Sequence, residues 1–138
     1  MSITFKELLM GIPLSDIEIA HQHNLEVLVD CLNIIRNAYG KPMIPTSVYR
    51  TEQKHKDIYR AKGIPDNKIP WGSAHLSGEA ADISDPHQEL QTWILADQDI
   101  LDAAGLYCED FSATPNWVHF QSRPFKSYKP GGTRFFKP

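Results

Sequence analysis

Ser73-Ala74-His75-Leu76-Ser77-Gly78-Glu79-Ala80-Ala81-Asp82, answered by Trp117-Val118-His119-Phe120-Gln121, is the part of this sequence on which the fold turns. The two stretches offer two imidazoles and a carboxylate: His75, Asp82 and His119. That set suits a catalytic zinc ion, because three protein ligands leave the fourth tetrahedral position for water, whose pKa zinc lowers to about 7. A carboxylate beside two imidazoles also favours zinc or a similar divalent ion over soft-metal chemistry. Gly78 permits a tight backbone path after His75, and the small Ala80 and Ala81 let the chain enter a packed strand that carries Asp82 inward. His119 comes from a distant strand, as a site locked by the fold requires. The chemistry expected of such a set is hydrolysis.

Working outward, Trp117–Gln121 alternates, so that Val118 and Phe120 face the core while Trp117, His119 and Gln121 face a cleft. Leu106-Tyr107-Cys108 reads as its hairpin partner across the turn-rich Ser112-Ala113-Thr114-Pro115-Asn116. After the break at Pro42-Met43-Ile44-Pro45, Thr46–Arg50 has the character of a further short strand. Three helices are expected. Ser15 and Glu18 resemble a capping box for the first, over about 16–39, where Leu25, Leu28, Leu32, Ile35 and Tyr39 recur at helical spacing until Gly40. Thr51 caps a second to about Lys62, and a loop runs from Gly63 to Gly72. Asp85-Pro86 opens a third, with Leu90, Trp93, Ile94 and Leu101 as its stripe and Gly105 near its end. The pattern predicts an α+β fold, a small antiparallel sheet carrying the metal site against about three helices. His21 and His23, at the polar start of the first helix, read as solvated rather than as ligands.

With 138 residues, 41% hydrophobic and 22% charged, the chain suits one domain over residues 1–123, with an N-terminal helical part, followed by a tail over 124–138. Beyond Phe111 the sequence carries Arg123, Lys126, Lys129, Arg134 and Lys137, many aromatics and no acid. That tail is expected to be extended, as an arm wrapping the domain or docking to a virion or assembly partner. A net charge of −3 argues against a nucleic-acid partner. No window reaches membrane-spanning length and the N-terminus lacks a signal-peptide pattern, so cytoplasmic synthesis is expected, with any wall substrate reached after release or as part of a phage particle. Cys31 and Cys108 form no CxxC pair and read as small buried hydrophobes.

The pattern Ser73-x-His75-x-x-Gly78-x-Ala80-x-Asp82 with a later Trp117-x-His119 resembles the zinc D-Ala-D-Ala carboxypeptidase and L-alanyl-D-glutamate endopeptidase family, which shares its fold with Hedgehog signalling domains. The resemblance covers roughly residues 40 to 123, and Ser47-x-Tyr49-Arg50 is similar to the family's upstream Ser-x-Tyr-Arg element. It implies one zinc ion on His75, Asp82 and His119, with Arg50 and Ser73 as substrate-binding residues. A guanidinium suits a peptide carboxylate or a tetrahedral oxyanion. The substrate implied is the stem peptide of bacterial peptidoglycan, cut by a carboxypeptidase or an endopeptidase of the phage-lysin or virion-associated type.

The sequence departs from the family three residues before the last histidine, where an acid is expected and Asn116 stands; an amide cannot take the proton. Asp110, two residues beyond Cys108, is the favoured replacement, Glu109 the alternative and Glu79 a third candidate. Gln121 likewise stands where related proteins often carry an acid. A rival reading is a zinc-fold structural or binding module without catalysis, such as a virion component.

Overall fold

The computed structural model describes residues 2–138. The capping box of this chain is built from Thr4 and Glu7: each side chain accepts from the other's backbone N–H, which opens the short helix α1 (Phe5–Leu8). Ser15 lies instead in a 3-10 turn (Leu14–Asp16), and the expected start at residue 16 is corrected to Ile19, where α2 (Ile19–Tyr39) begins without a side-chain cap. The reason is Ile17, which is buried and extended at φ −111°, so the chain is not helical there. Along α2, Leu25, Leu28, Leu32 and Ile35 are fully buried, and Gly40 ends the helix at φ 74°, as a left-handed cap requires.

The strand expected over 46–50 is shorter, β1 (Pro45–Ser47). Beyond it Val48 and Arg50 leave the sheet to bond the His75 turn: Val48 O accepts from that histidine's ring, and Arg50 N donates to His75 O at 3.2 Å. Thr51 then caps α3 (Glu52–Ala61), accepting from Lys54 N at 3.2 Å. The long loop that follows holds one 3-10 turn (Asp66–Lys68), and a second (Ala74–Ser77) presents His75 just ahead of β2 (Ala80–Ser84).

The single helix expected from Asp85 to Gly105 is two: α4 (Glu89–Ala96) and α5 (Asp99–Ala104). Asp85 does cap α4, but from outside it: its buried carboxylate accepts from Leu90 N at 3.0 Å and Gln91 N at 2.9 Å, while Gln88 takes a left-handed turn at φ 58°. The break falls at Asp97-Gln98-Asp99, where short acidic side chains favour turns and caps over helix interior. Leu90, Ile94 and Leu101 are buried as the stripe predicts.

β3 (Tyr107–Glu109), β4 (Trp117–Gln121) and β5 (Phe135–Phe136) complete a five-stranded sheet in the order β1-β2-β4-β3-β5. The first three pairings are antiparallel, but β5 lies parallel to β3, so the all-antiparallel sheet is corrected to a mixed one. The fold is thus α+β, with five helices and five strands among the described residues. One sheet face carries Ala81, Ile83, Cys108, Val118 and Phe120, all without exposure, in one core with the stripe of α2. Burying four large side chains of α2 contributes about 6–12 kcal/mol to holding that face closed.

The tail is ordered against the domain. Arg134 stacks on Tyr107 at 4.6 Å and Tyr128 at 5.3 Å, pairs with Asp102, and donates to Leu106 O at 3.3 Å. The tail's aromatics are spent inward: Phe125 and Tyr128 pack edge-on to Tyr107, and Phe135 to Phe111. Among the described residues no helix is long and apolar enough to cross a membrane. Both cysteines are free, Cys108 buried and Cys31 half-buried.

Candidate metal centre

The sheet pleat sets the site. Ser47 pairs with Asp82 and Asp82 with His119; continuing the β3–β4 register by one residue from Cys108↔Phe120 sets Glu109 opposite His119, and Glu109 pairs with Phe136. One cross-strand row therefore runs Ser47, Asp82, His119, Glu109, Phe136 on the face opposite the core. The last four line an open cleft of about 810 Å³, together with Arg50, Ser73, His75 and Gln121.

His75 reaches the row from its 3-10 turn, and that turn is fastened to α2. Asn24 Nδ2 donates to Ser77 O at 2.9 Å, and Gly78 closes the turn at φ 77°. A Cβ on Gly78 would stand 2.8 Å from His21 O and 2.9 Å from Leu25 Cγ, so only glycine fits both the backbone conformation and the space. Ser73 begins the turn by accepting from His75 N at 3.3 Å while it lines the cleft. His21, expected to be solvated, bonds Tyr49 Oη at 3.0 Å; His23 is exposed.

His75, Asp82 and His119 each present one ligand atom, all within 4.8 Å of one another. His75 Nδ1–H donates to Val48 O at 2.7 Å, leaving Nε2 to face Asp82 Oδ2 at 3.4 Å. His119 offers Nδ1 to Asp82 Oδ1 at 2.8 Å, while its Nε2–H donates to Gln121 Oε1 at 3.0 Å. Gln121 cannot be turned over, because its Nε2 donates to Arg123 O at 2.7 Å. Each imidazole thus has its outer nitrogen committed to a carbonyl oxygen and its inner nitrogen aimed at one carboxylate. A carbonyl oxygen accepting from the outer nitrogen fixes the tautomer and the ring orientation of a ligating histidine. The donor set fits a divalent cation: a carboxylate and two imidazole nitrogens, converging at the floor of an open cleft. This group could hold a metal ion.

Electrostatics agree with a cation-seeking centre. Burial would raise the Asp82 carboxyl, but hydrogen bonds from His119 and His75 outweigh it and hold that carboxyl well below the usual range. Burial would likewise lower His119, and the bond to Asp82 overrides it, raising that imidazole. When both ring nitrogens of His119 carry protons, the Nδ1 proton lies between the imidazole and Asp82, where a cation would sit.

The acid candidates separate cleanly. Glu109 lines the cleft, and its carboxyl is raised, chiefly by burial and further by the charge of Asp82. Asp110, two residues beyond Cys108, does not line the cleft; its carboxylate accepts from Ser112 N at 2.9 Å and from Ser112 Oγ. Parity explains the reversal: Glu109 shares the phase of the cleft row, whereas Asp110 stands one step out of it. Glu79 is also outside the cleft, accepting from Ser77 Oγ and standing 4.0 Å from Arg123 Nη1. Asn116 is exposed, and its carbonyl accepts from Asp85 N at 2.9 Å.

Arg50 lies beside the triad with Nη2 3.8 Å from Asp82 Oδ2. Its Nε and Nη2 both donate to Ser47 Oγ, at 3.1 and 3.0 Å. Sequence reasoning missed Tyr59 and Lys62 on the cleft wall, and Phe136, which meets His119 edge-on at 5.9 Å. Nothing in a two-residue strand after a turn-rich tail marks Phe136 in advance. Comparison of the chain with protein-family models, with curated proteins and with solved structures gave no match.

Proposed function

We propose that this chain is a zinc-dependent peptidase that hydrolyses an amide bond in peptidoglycan stem peptides, built on the Hedgehog-like scaffold that its motifs resemble. The observation that carries the reading is the cluster built on the cross-strand row: His119 from the row and His75 from its turn oriented around Asp82, with Glu109 next in line and Arg50 alongside in one open cleft.

His75, Asp82 and His119 would hold the zinc, which when bound supplies Lewis acidity and lowers the pKa of a coordinated water to about 7. The remaining work falls to the chain's own residues. Glu109 takes a proton from the attacking water through a carboxylate oxygen and returns it to the departing amine nitrogen as the C–N bond breaks, so the proton count closes. A carboxyl raised by burial suits that exchange near neutrality. Arg50 Nη atoms donate to the substrate's terminal carboxylate or to the carbonyl oxygen as it gains charge. The protein would reach the wall after release from the cytoplasm or as part of a phage particle.

The experiment is zinc content measured beside mass spectrometry of purified wall fragments. One zinc per chain and fragments cut at a stem-peptide amide are expected, both lost in His119→Ala. Glu109→Gln should keep zinc but lose about 10²–10⁴ in rate, whereas Asp110→Asn should match wild type. The second reading, a zinc-fold binding module without catalysis, draws on Asn116, which stands exposed where the family pattern expects an acid. Full zinc loading with no fragment cleaved would select it.

A further inference from the structure

We infer that His55 is a positioning residue for Arg50, fixing the guanidinium in the cleft through a neutral imidazole whose only free lone pair faces it. The inference rests on the anion-binding role proposed above for Arg50.

His55 sits on the first turn of α3 with no exposure, between the rings of Tyr59 at 4.8 Å and Trp71 at 5.5 Å. Its Nε2 stands 3.0 Å from Pro70 O, an atom that can only accept, so Nε2 carries the proton. Burial lowers the pKa of this ring and keeps it neutral. Nδ1 is then the acceptor, and Arg50 Nη1 lies 3.4 Å away. Together with the two bonds to Ser47 Oγ, this gives the guanidinium three restrained N–H groups on two sides. The groups left over are those that look toward Asp82 and the cleft. An arginine held this way loses little freedom when it binds an anion, which is how preorganisation raises affinity.

The chain from Pro70 to Arg50 explains the geometry at low cost. The carbonyl of Pro70 sets the tautomer of His55, and the tautomer sets whether Arg50 meets a lone pair or a second N–H. With the opposite tautomer two donors would face each other in a buried space, leaving both unsatisfied.

Two variants separate the two bonds. His55→Asn keeps an oxygen near the place of Nδ1 and gives up the bond to Pro70; His55→Gln keeps a donor toward Pro70 and gives up the acceptor for Arg50. In the zinc-loaded full chain, kcat/KM on wall fragments should fall about threefold to tenfold in His55→Gln and stay within about twofold of wild type in His55→Asn. Equal losses in the two variants would mean a packing role only and would overturn the inference. Nitrogen-15 NMR of the metal-free protein reads the same contact without turnover. Separate Nη1 and Nη2 resonances for Arg50 are expected in wild type and His55→Asn, with the Nη1 resonance shifted in His55→Gln. Unchanged Arg50 resonances in His55→Gln overturn the positioning role even if the wild type cuts no fragment, an outcome that would sink the peptidase reading by itself. Should neither variant fold, the wild-type spectrum decides: an unprotonated Nδ1 on His55 supports the inference, and a protonated one ends it.

Discussion

The two halves of the candidate site are built from different materials. The half that presents His75 is fastened by backbone: a 3-10 turn closed on Gly78, a carbonyl of Val48 against the imidazole, and Arg50 N on His75 O. The half that presents His119 is fastened by side chains: Gln121 and Asp82 on the imidazole, and Phe136 against the ring's edge. A backbone-made half should fail as a unit when its one irreplaceable residue is changed. A side-chain-made half should respond in steps, with the fold intact.

Gly78→Ala breaks the first half hardest. The new methyl would meet a backbone oxygen of α2 in a left-handed conformation, so a loss of about 2–4 kcal/mol in unfolding free energy is expected, with zinc binding weakened alongside. Urea denaturation measures it, and a loss under about 0.5 kcal/mol would show that the turn can shift away from α2 freely. Gln121→Ala probes the second half. Zinc affinity measured by chelator competition should fall about tenfold to a hundredfold, with the midpoint of metal-free denaturation nearly unchanged. A parallel loss of stability would erase the contrast between the halves.

The smallest effect, and the one that sharpens the contrast, is in pH. Asp82 is depressed, so its contribution to metal-free stability is present above about pH 4 and lost as pH falls through its lower folded value. His119 is raised, so its contribution is complete below about pH 6.5 and lost as pH rises through its folded value. The metal-free pair therefore stabilises most between about pH 4 and 6.5. A divalent ion held there must displace the Nδ1 proton, so its affinity would rise with pH over the range where the pair fades. Thermal scans with and without zinc at pH 5.5 and 8 should differ more at the higher pH. A gap that narrows would mean that His119 is not the proton-bearing ligand.

The sequence makes much of this readable, for identifiable reasons. The stripe of α2, the Thr51 cap and the alternation of β4 depend on local periodicity, and each appears where spacing predicts it. Three ligand candidates converge because motif and strand fix their phase. The misplaced features depend on tertiary choice. Ser15 does not cap α2 because Ile17 is drawn into the core in extended conformation, and α4 separates from α5 at an acidic junction. That Glu109 and not Asp110 lines the cleft follows from parity, since one strand step separates them and that step changes the face. His55 carries no such mark in the sequence, because its partner carbonyl lies fifteen residues away.

β5 does two jobs with two residues. It covers the outer edge of β3, where Cys108 N donates to Arg134 O at 2.9 Å and Asp110 N to Phe136 O at 2.7 Å, so the backbone groups that would otherwise invite another strand are paired. It also extends the cross-strand row past Glu109 by setting Phe136 on the cleft wall. Losing that strand would therefore bare an adhesive edge and open one side of the cleft in the same event.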